Sequence, residues 1–504
     1  MLSCLPVDNL QHRLEKLTGI LDVAKALVAE RDLDRLLKMI VDSAARVVEA
    51  DRCSLFLVDH ESGEMWSKVA QGVSMKELRF PLGRGIAGAV AQSNRSENIP
   101  DAYEDPRFNR DFDKQTGYRT RAILAVPMRS VEGEVVGVLQ ALNKIGEIPF
   151  SSEDEELLGA LGGQAAAAVN NALLHQEIEQ LFEGFVRASV VAIESRDPST
   201  AGHSGRVARL SVGLADALPR AGGTAGRWKG SSLNGQERQE LRYAALLHDF
   251  GKVGVRENVL VKANKLEPLE LESMRGRFET IFASEELAAE RKKVALLLEH
   301  GRSQGRGLLL GVDAQLIARK KELNEMFEFV ISCNRPTILP EGSFGRLDEI
   351  AKARFQGPFG GEPRPFLSEN EVIKLSIRKG SLTAEERREI ESHVTHTFRF
   401  LSQIPWTRTL RRVPDIAYGH HEKLTGRGYP RSLKEVEIAL PTRMMTISDI
   451  YDALTASDRP YKRAVPREKA FDILTDEAKR GEVDADLLKV FIESDVPAKA
   501  PQEP

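Results

Sequence analysis

Apolar residues return every three or four positions over residues 12–50: Leu14, Leu17, Ile20, Leu21 and Ala24, then a second stretch from Leu33 to Val48. That period predicts helix. Next the pattern shortens. "CSLFLVD" and "MWSKVAQG" are β-branched and aromatic runs on either side of the turn "HESGE", while "AILAVPM" and "VVGVLQALNK" flank "RSVEGE". Two hairpins are therefore expected. "GRGIAGAVAQS" reads as a short helix behind a glycine turn. Helices around a mainly antiparallel sheet predict an α+β domain over residues 15–155.

Ser152, with Glu155 three positions on and Leu157–Leu158 behind it, predicts a capping box that opens a long helix. Its apolar or small residues at 157, 161, 168, 174, 178, 181, 185, 188 and 192 largely keep a 4-3 alternation. Residues 156–184 are thus expected to be a connector that pairs as a coiled coil, giving a homodimer. The other reading is an amphipathic helix lying on its own domain. From residue 185 to 493 the pattern is helical, which predicts an all-α bundle. Residues 266–375 read as a helical insertion without a chemical motif, and His300 within it as a surface histidine. The insertion ends in the Gly/Pro-rich "QGPFGGEPRPF", after which Ser368 and Glu371 cap a new helix.

A chain of 504 residues is too long for one core, so a multidomain fold is expected. Net charge of −4 gives no reason to expect nucleic acid or a membrane surface as partner. Cys4, Cys53 and Cys333 have no paired spacing, which argues against disulfides and against a thiolate zinc site. No basic n-region with an apolar stretch opens the chain, and no run of eighteen apolar residues occurs, so the protein is expected in the cytoplasm.

The chemistry lies in the histidines. Of ten, His203 ("TAGHSGR"), His248 ("LLHDFGK"), His393 and His396 ("ESHVTHT") and His420 and His421 ("YGHHEK") fall in four short motifs. Asp249 and Asp449 ("TISDIYDALT") join them. A lone buried histidine is more often a core residue than a ligand, but two doublets together with Asp449 reverse that preference. His248 continues the buried face of its helix while Asp249 is turned by about 100°, so the two suit neighbouring metals bridged by the carboxylate. Imidazole and carboxylate without thiolate favour iron, manganese or zinc over calcium or magnesium. His396 reads as structural.

"HDFGK" with "HHEKLTGRGYP" and "SDIYDALTASDRPYK" resembles the HD-GYP family, metal-dependent phosphohydrolases that cleave cyclic di-GMP. The resemblance covers about 185–265 and 376–493. It implies His203, His248, Asp249, His393, His420, His421 and Asp449 as metal ligands. Lys252 would offset the charge of the scissile phosphate, and Asp452 would position the attacking water. Gly428, Tyr429 and Pro430 would form a loop beside the substrate, with Arg459 and Lys462 as further phosphate contacts. Cofactors are then two divalent ions, iron or manganese. Ser199 stands where three-metal members carry glutamate, leaving His203 for a weaker third ion. Thr425 replaces the family's usual aspartate in the loop before Gly428.

"NIPDAYEDPRFNRDFDKQTGYRTRAILAVPM" and "ALNKIGEIPFSSEDE" resemble a GAF domain of the cyclic-nucleotide-binding subset, with Asn143, Lys144, Phe150, Asp154 and Glu155 matching its NKFDE pattern. The resemblance implies that this motif ties strand to helix, and that the domain takes a small ligand, a cyclic nucleotide among them. The expected function is hydrolysis of cyclic di-GMP to pGpG, and on to GMP, under GAF control. Two alternatives stay open: a module that holds a cyclic dinucleotide without cutting it, and a hydrolase of another one such as cyclic GMP–AMP.

Overall fold

Two hairpins supply the long strands of the first unit, and two short strands close its edges. The structure is a computed structural model and describes residues 23–27, 29–70, 78–197, 201–340, 342–357, 360–457 and 464–499. The strands are β1 (Ala50–Asp59), β2 (Glu64–Ala70), β3 (Leu78–Pro81), β4 (Glu97–Ile99), β5 (Ile123–Arg129) and β6 (Val135–Lys144), in the antiparallel order β3-β2-β1-β6-β5-β4. The edge strands β3 and β4 escape the sequence reading because neither is long enough to show a period. Around the sheet lie α1 (Leu33–Val47), α2 (Gly85–Ser93), α3 (Arg110–Thr116) and α4 (Ser152–Arg196).

Alternation along β5 assigns its side chains to two cores. Leu124, Val126 and Met128 pack with Leu36, Leu37 and Ile40 of α1 and with Leu158, Leu161 and Val169 of α4. Ile123 and Ala125 face the other way, with Phe56, Val138 and the α2 residues Ile86 and Val90. A strand buried on both faces reads as a continuous apolar run. Pro127 is tolerated because β4 pairs only with Ile123–Ala125, leaving that side of the strand without a ladder bond to lose.

A clasp joins β6 to α4. Asn143, held at φ +51°, accepts through Oδ1 from the backbone N–H groups of Arg121 at 2.6 Å and Ala122 at 3.2 Å. Its Nδ2 donates to Tyr118 Oη and to the Arg119 carbonyl, both at 2.9 Å. Lys144 meets Asp154 in a buried ion pair. The helix cap differs from the expected one. Ser151, not Ser152, receives the Asp154 N–H at 3.2 Å, and Asp154, not Glu155, takes the Ser151 N–H at 2.7 Å. The carboxylate that caps is the one already drawn in by Lys144, which sets the helix start one residue earlier.

The chain divides into two compact units, 1–184 and 185–504, and α4 contributes to both. This helix is long and apolar enough by composition to cross a membrane, but half of its most apolar window is buried, as in a core helix. Beyond Ala172, Leu174, Ile178, Leu181 and Phe185 are exposed at 4-3-4 spacing.

The second unit contains α5 (His203–Ala217), α6 (Gly235–Leu247), α7 (Glu257–Leu260), α8 (Pro268–Asn334), α9 (Ser343–Lys352), α10 (Glu369–Leu375), α11 (Ala384–Glu391), α12 (His393–Leu401), α13 (Val413–Tyr418), α14 (Leu440–Thr455), α15 (Arg467–Lys479) and α16 (Ala485–Glu493). A purely helical reading misses one small ladder, β7 (Arg354–Phe355) with β8 (Arg364–Pro365), which closes the Gly/Pro-rich loop. Within α8 the helix breaks at Gly301 (φ +68°) and returns on itself. Glu285–Arg319 at 3.1 Å and Lys293–Asp313 at 3.0 Å zip the two arms. Met274, Phe278, Leu323 and Val330 pack at the base with Leu347 and Phe366, so the segment owns a core. His300 is exposed beside Glu299.

Candidate metal centre

An apolar helix that ends in two titratable residues needs something at its end for them to meet. A full capping box between Asn234 and Glu237 starts α6, and its buried run closes with Ala244, Ala245, Leu246 and Leu247. His248 is its C-cap, and Phe250–Gly254 forms a 3-10 turn. Gly251 is required there, since a Cβ would lie 1.9 Å from the His393 carbonyl oxygen. Thr397 Oγ1 sits in the same contact, accepting from Gly251 N–H and donating to the His248 carbonyl, each at 2.8 Å. These bonds lock the turn onto α12, the helix that begins with His393.

Each buried imidazole is oriented by its own chain. His248 Nδ1 donates to the Ala245 carbonyl and His420 Nδ1 to the Ala417 carbonyl, both at 2.7 Å. His393 Nδ1 makes the same bond to Ile390. The proton therefore sits on Nδ1 and the Nε2 lone pair points away from the helix. The Nε2 atoms of His248, His393 and His420 are buried without a hydrogen-bond partner. Buried polar atoms seldom go unpaired, and here three of them converge: His248 and His420 rings lie 4.9 Å apart, His393 and His420 5.6 Å. Burial holds His248 and His420 below the usual histidine range, and pushes His421 down to about 4. A neutral imidazole is the form that ligates a metal.

Two carboxylates complete the cluster. Asp249 Oδ2 lies 3.5 Å from His248 Nε2 and 3.7 Å from His203 Nε2, whereas its Oδ1 lies 3.3 Å from His393 Nε2. Its two oxygens thus face different sets of imidazoles. Asp449, from α14, stands 3.3 Å from His203 Nε2 and 4.0 Å from His421 Nδ1. Three groups of potential ligand atoms result, His393–His420–His421, His203–His248–Asp449 and His248–Asp249–His420, each able to hold a metal ion. Burial works against charge on Asp249 and Asp449. Lys252 and His248 around Asp249, and His203 beside Asp449, outweigh it and hold both carboxyls below the usual range. Lys252 Nζ is 2.7 Å from Asp249 and 3.5 Å from Asp197. Burial disfavours its charge, but these two carboxylates raise its pKa.

His203 differs from the other three. Its Nδ1 bonds Asp452 Oδ2 at 2.7 Å, and burial notwithstanding, the bonds to Asp449 and Asp452 push its pKa up to about 9. Asp452 is correspondingly turned toward His203 and Arg206 (2.7 Å from Arg206 Nε). Both oxygens of its carboxylate accept from these two side chains.

The loop carrying Gly428, Tyr429 and Pro430 folds against His421, whose ring is 4.8 Å from that of Tyr429. A Cβ on Gly428 would lie 2.3 Å from Lys423 N, so the close approach demands glycine. Glu422, buried, clamps the loop by accepting from Arg431 N–H at 2.7 Å and Leu433 N–H at 2.9 Å. Thr425 bridges to Lys434 at the loop's far side. His396 packs its ring on Gly254, where a Cβ would meet it at 2.9 Å. Arg459, Lys462 and Ser199 lie outside the described residues. The sequence reading passed over Asp197, Arg206, Glu422 and Thr397; their proximity to the histidine motifs was the available signal. Two cavities of about 250 Å³ open elsewhere, one over the Asn143–Lys144 clasp and one behind Gly419.

Comparison with known proteins agrees with this division. Residues 32–169 match the family described as GAF domain, and residues 200–322 and 369–487 match two families described as HD domain. The chain is multidomain, a GAF fold of antiparallel sheet and helices followed by a helical HD region. It is 32% identical over 186 residues to the probable 3',5'-cyclic phosphodiesterase pde-5 of Caenorhabditis elegans, covering 34% of this chain and 25% of that protein. It is 37% identical over 167 residues to the dual 3',5'-cyclic-AMP and -GMP phosphodiesterase 11A of Takifugu rubripes, covering 31% and 18%. The chain thus spans a quarter or less of the length of these relatives. Among solved structures, the GAF domain of a phosphoenolpyruvate-protein phosphotransferase from Coxiella burnetii aligns at 24% identity with a TM-score of 0.30, over 33% of this chain and 98% of that one.

Proposed function

We propose that the HD region is a metal-dependent phosphodiesterase centre that hydrolyses cyclic di-GMP to pGpG, and on to GMP, under control of the GAF unit. One observation carries the metal-binding part: three buried imidazoles with their tautomers fixed by backbone carbonyls aim unpartnered nitrogens at one place, with Asp249 presenting an oxygen to each side. This donor set fits two divalent ions, iron or manganese, one held by His203, His248, Asp249 and Asp449 and the other by His393, His420 and His421 with Asp249 shared. His203 on this reading serves the first ion and not a weaker third one.

Bound divalent ions supply Lewis acidity and a deprotonated water at neutral pH. The chain does the rest. Lys252 brings a buried cation to the edge of the centre, where charge builds on the phosphoryl oxygens. His421 is the ligand open toward solvent (side chain 30% exposed), and Tyr429 lies against its ring, so the substrate enters on the side of the Gly428–Pro430 loop. Water oxygen bonds to phosphorus, the bond to the ribose 3' oxygen breaks, and that oxygen leaves as a hydroxyl. The motifs that point to a cyclic dinucleotide are "HHEKLTGRGYP" and "DRPYK".

A second reading takes a 3',5'-cyclic mononucleotide as substrate, favoured by the activity for which the relatives are named. Their aligned stretches are too short to contain both the GAF and the HD regions, which weakens that transfer. Full-length protein purified without oxygen and loaded with Mn(II) or Fe(II) is expected to open cyclic di-GMP. Cleavage of cyclic AMP or cyclic GMP alone decides for the second reading, cleavage of cyclic GMP–AMP alone for another dinucleotide. Tight binding of cyclic di-GMP without turnover, at full metal content, leaves a binding module.

For regulation, the exposed seam at Leu174, Ile178, Leu181 and Phe185 suits a second copy of the same helix, and the end of α4 touches the centre's supporting turn. Arg196 Nη2 donates to the Val255 carbonyl at 3.0 Å, its Nη1 to that of Val253, and Asp197 stands beside Lys252. A small ligand, a cyclic nucleotide among them, is proposed for the GAF unit. Arg196→Ala is expected to keep basal turnover and lose any response to cyclic AMP or cyclic GMP; an intact response would remove this route.

A further inference from the structure

The four buried histidines of the centre do not share one means of orientation. His248, His393 and His420 each anchor Nδ1 on the carbonyl three residues before them. His203 is the first residue of α5, directly after Gly202 at φ +67°. Its Nδ1 is bonded by a side chain instead, Asp452 Oδ2 at 2.7 Å.

Two helices meet to do this. From α14, Asp449 and Asp452, one turn apart, place a carboxylate at each ring nitrogen: Asp449 Oδ1 is 3.3 Å from Nε2 and Asp452 Oδ2 is 2.7 Å from Nδ1. From α5, Arg206 lies one turn after His203 and grips Asp452 with one edge of its guanidinium, Nε to Oδ1 at 2.7 Å and Nη2 to Oδ2 at 3.1 Å. The remaining Nη1 donates to the Ala201 carbonyl at 2.9 Å, next to the turn that leads into His203. The carboxylate is buried while the arginine is partly exposed, with side-chain exposures of 4% and 29%.

We propose that Arg206 is a positioning residue for the metal centre: it holds Asp452 in the one orientation that fixes the His203 ring with Nε2 toward Asp249 and Asp449. A planar two-bond grip fixes both rotation and translation of a carboxylate, which a single lysine contact does not. Asp452 in turn plays toward His203 the part that backbone carbonyls play toward the other three. Loss of such an outer partner typically weakens metal binding by roughly 10- to 100-fold. The effect falls on the half of the centre that contains His203, because the Nδ1 bonds of His393 and His420 do not involve α5 or α14.

The inference rests on the metal-centre reading, and the test separates the two. Full-length wild type is titrated with Mn(II) against a competing chelator, alongside H203A, H420A, R206M and R206K. Two classes of site in wild type, with H203A and H420A removing different ones, establish the centre; no stoichiometric metal in wild type ends that reading before Arg206 is considered. Given two classes, R206M is expected to weaken the class lost in H203A by roughly 10- to 100-fold and to leave the other within about twofold, with R206K restoring part of the loss. Unchanged affinities in R206M overturn the proposal, as does equal weakening of both classes. Should R206M fail to fold, R206Q is read by the same criteria, and a failure of both to fold while R206K is wild-type in both affinities also overturns it.

Discussion

Among the described residues, two of the buried clusters of polar side chains are set apart by their hydrogen bonding. In the GAF unit, Asn143 bonds four groups of the 118–122 segment, Lys144 pairs with Asp154, and Asp154 also accepts from Ser151. In the HD unit, His248, His393 and His420 each bond a carbonyl through one nitrogen and leave the other buried without a partner. A buried polar group that is paired holds structure together; one left unpaired costs about 1–3 kcal/mol, a cost met when something binds. By that criterion the first cluster is a fastening and the second a receptacle, although both read in sequence as motifs of charged and polar residues.

The comparison is broken most sharply at Asp249. Asp249→Ala is expected to remove metal from both halves of the centre and to lower turnover by more than about 100-fold, beyond the range for an outer partner, with the thermal transition of the GAF unit unmoved. Metal content equal to wild type would show that the carboxylate does not join the two halves. His420→Ala and His421→Ala sharpen the same point. His420 is 1% exposed and held by Ala417 and Thr446, whereas His421 is more open. The first variant should lose more metal than the second, by elemental analysis, and identical losses would contradict the assigned geometry.

On the other side of the comparison, Asp154→Asn should leave metal content untouched and destabilise the GAF unit by about 3 kcal/mol, the scale for breaking a buried ion pair from one side. Burial opposes charge on Asp154, but Lys144 and Ser151 outweigh it and lower its pKa. A carboxyl whose folded pKa lies below the unfolded one stabilises fully above the unfolded value and loses that contribution as pH falls through the folded one. Wild type and variant should therefore converge in GAF stability toward acid. A gap that widens with acid would refute the clasp. The least perturbing change concerns neither cluster: Leu174, Ile178 and Leu181 replaced together by Gln should yield monomers with intact units, and light scattering that still reports a dimer would place the contact elsewhere.

Much of the fold was legible because its elements are long relative to their periods. β5 and β6 announce themselves as apolar runs, and α6 as an apolar helical face that runs into His248. β3 and β4 are too short to repeat, and β7–β8 hides in a Gly/Pro-rich loop. The histidine motifs were legible as motifs, since doublets beside apolar helix ends have few other uses. Asp452 was visible, but its bonds to His203 and Arg206 were not, because they depend on which neighbours lie within bonding distance. Arg206 lay within the "TAGHSGR" motif, but an arginine three residues after a histidine on a helix is ordinary until a second helix supplies a carboxylate for it.

The amino-acid order alone settled which residues carry ligand chemistry and that the chain holds an α+β part and a helical part, because those follow from side-chain chemistry and local periodicity. Tertiary packing alone decided that the free nitrogens of three imidazoles converge, that Asp249 turns its two oxygens to different partners, and that Asp452 bonds His203. Such facts depend on distances of about 3 Å between residues hundreds of positions apart, and no local pattern encodes them.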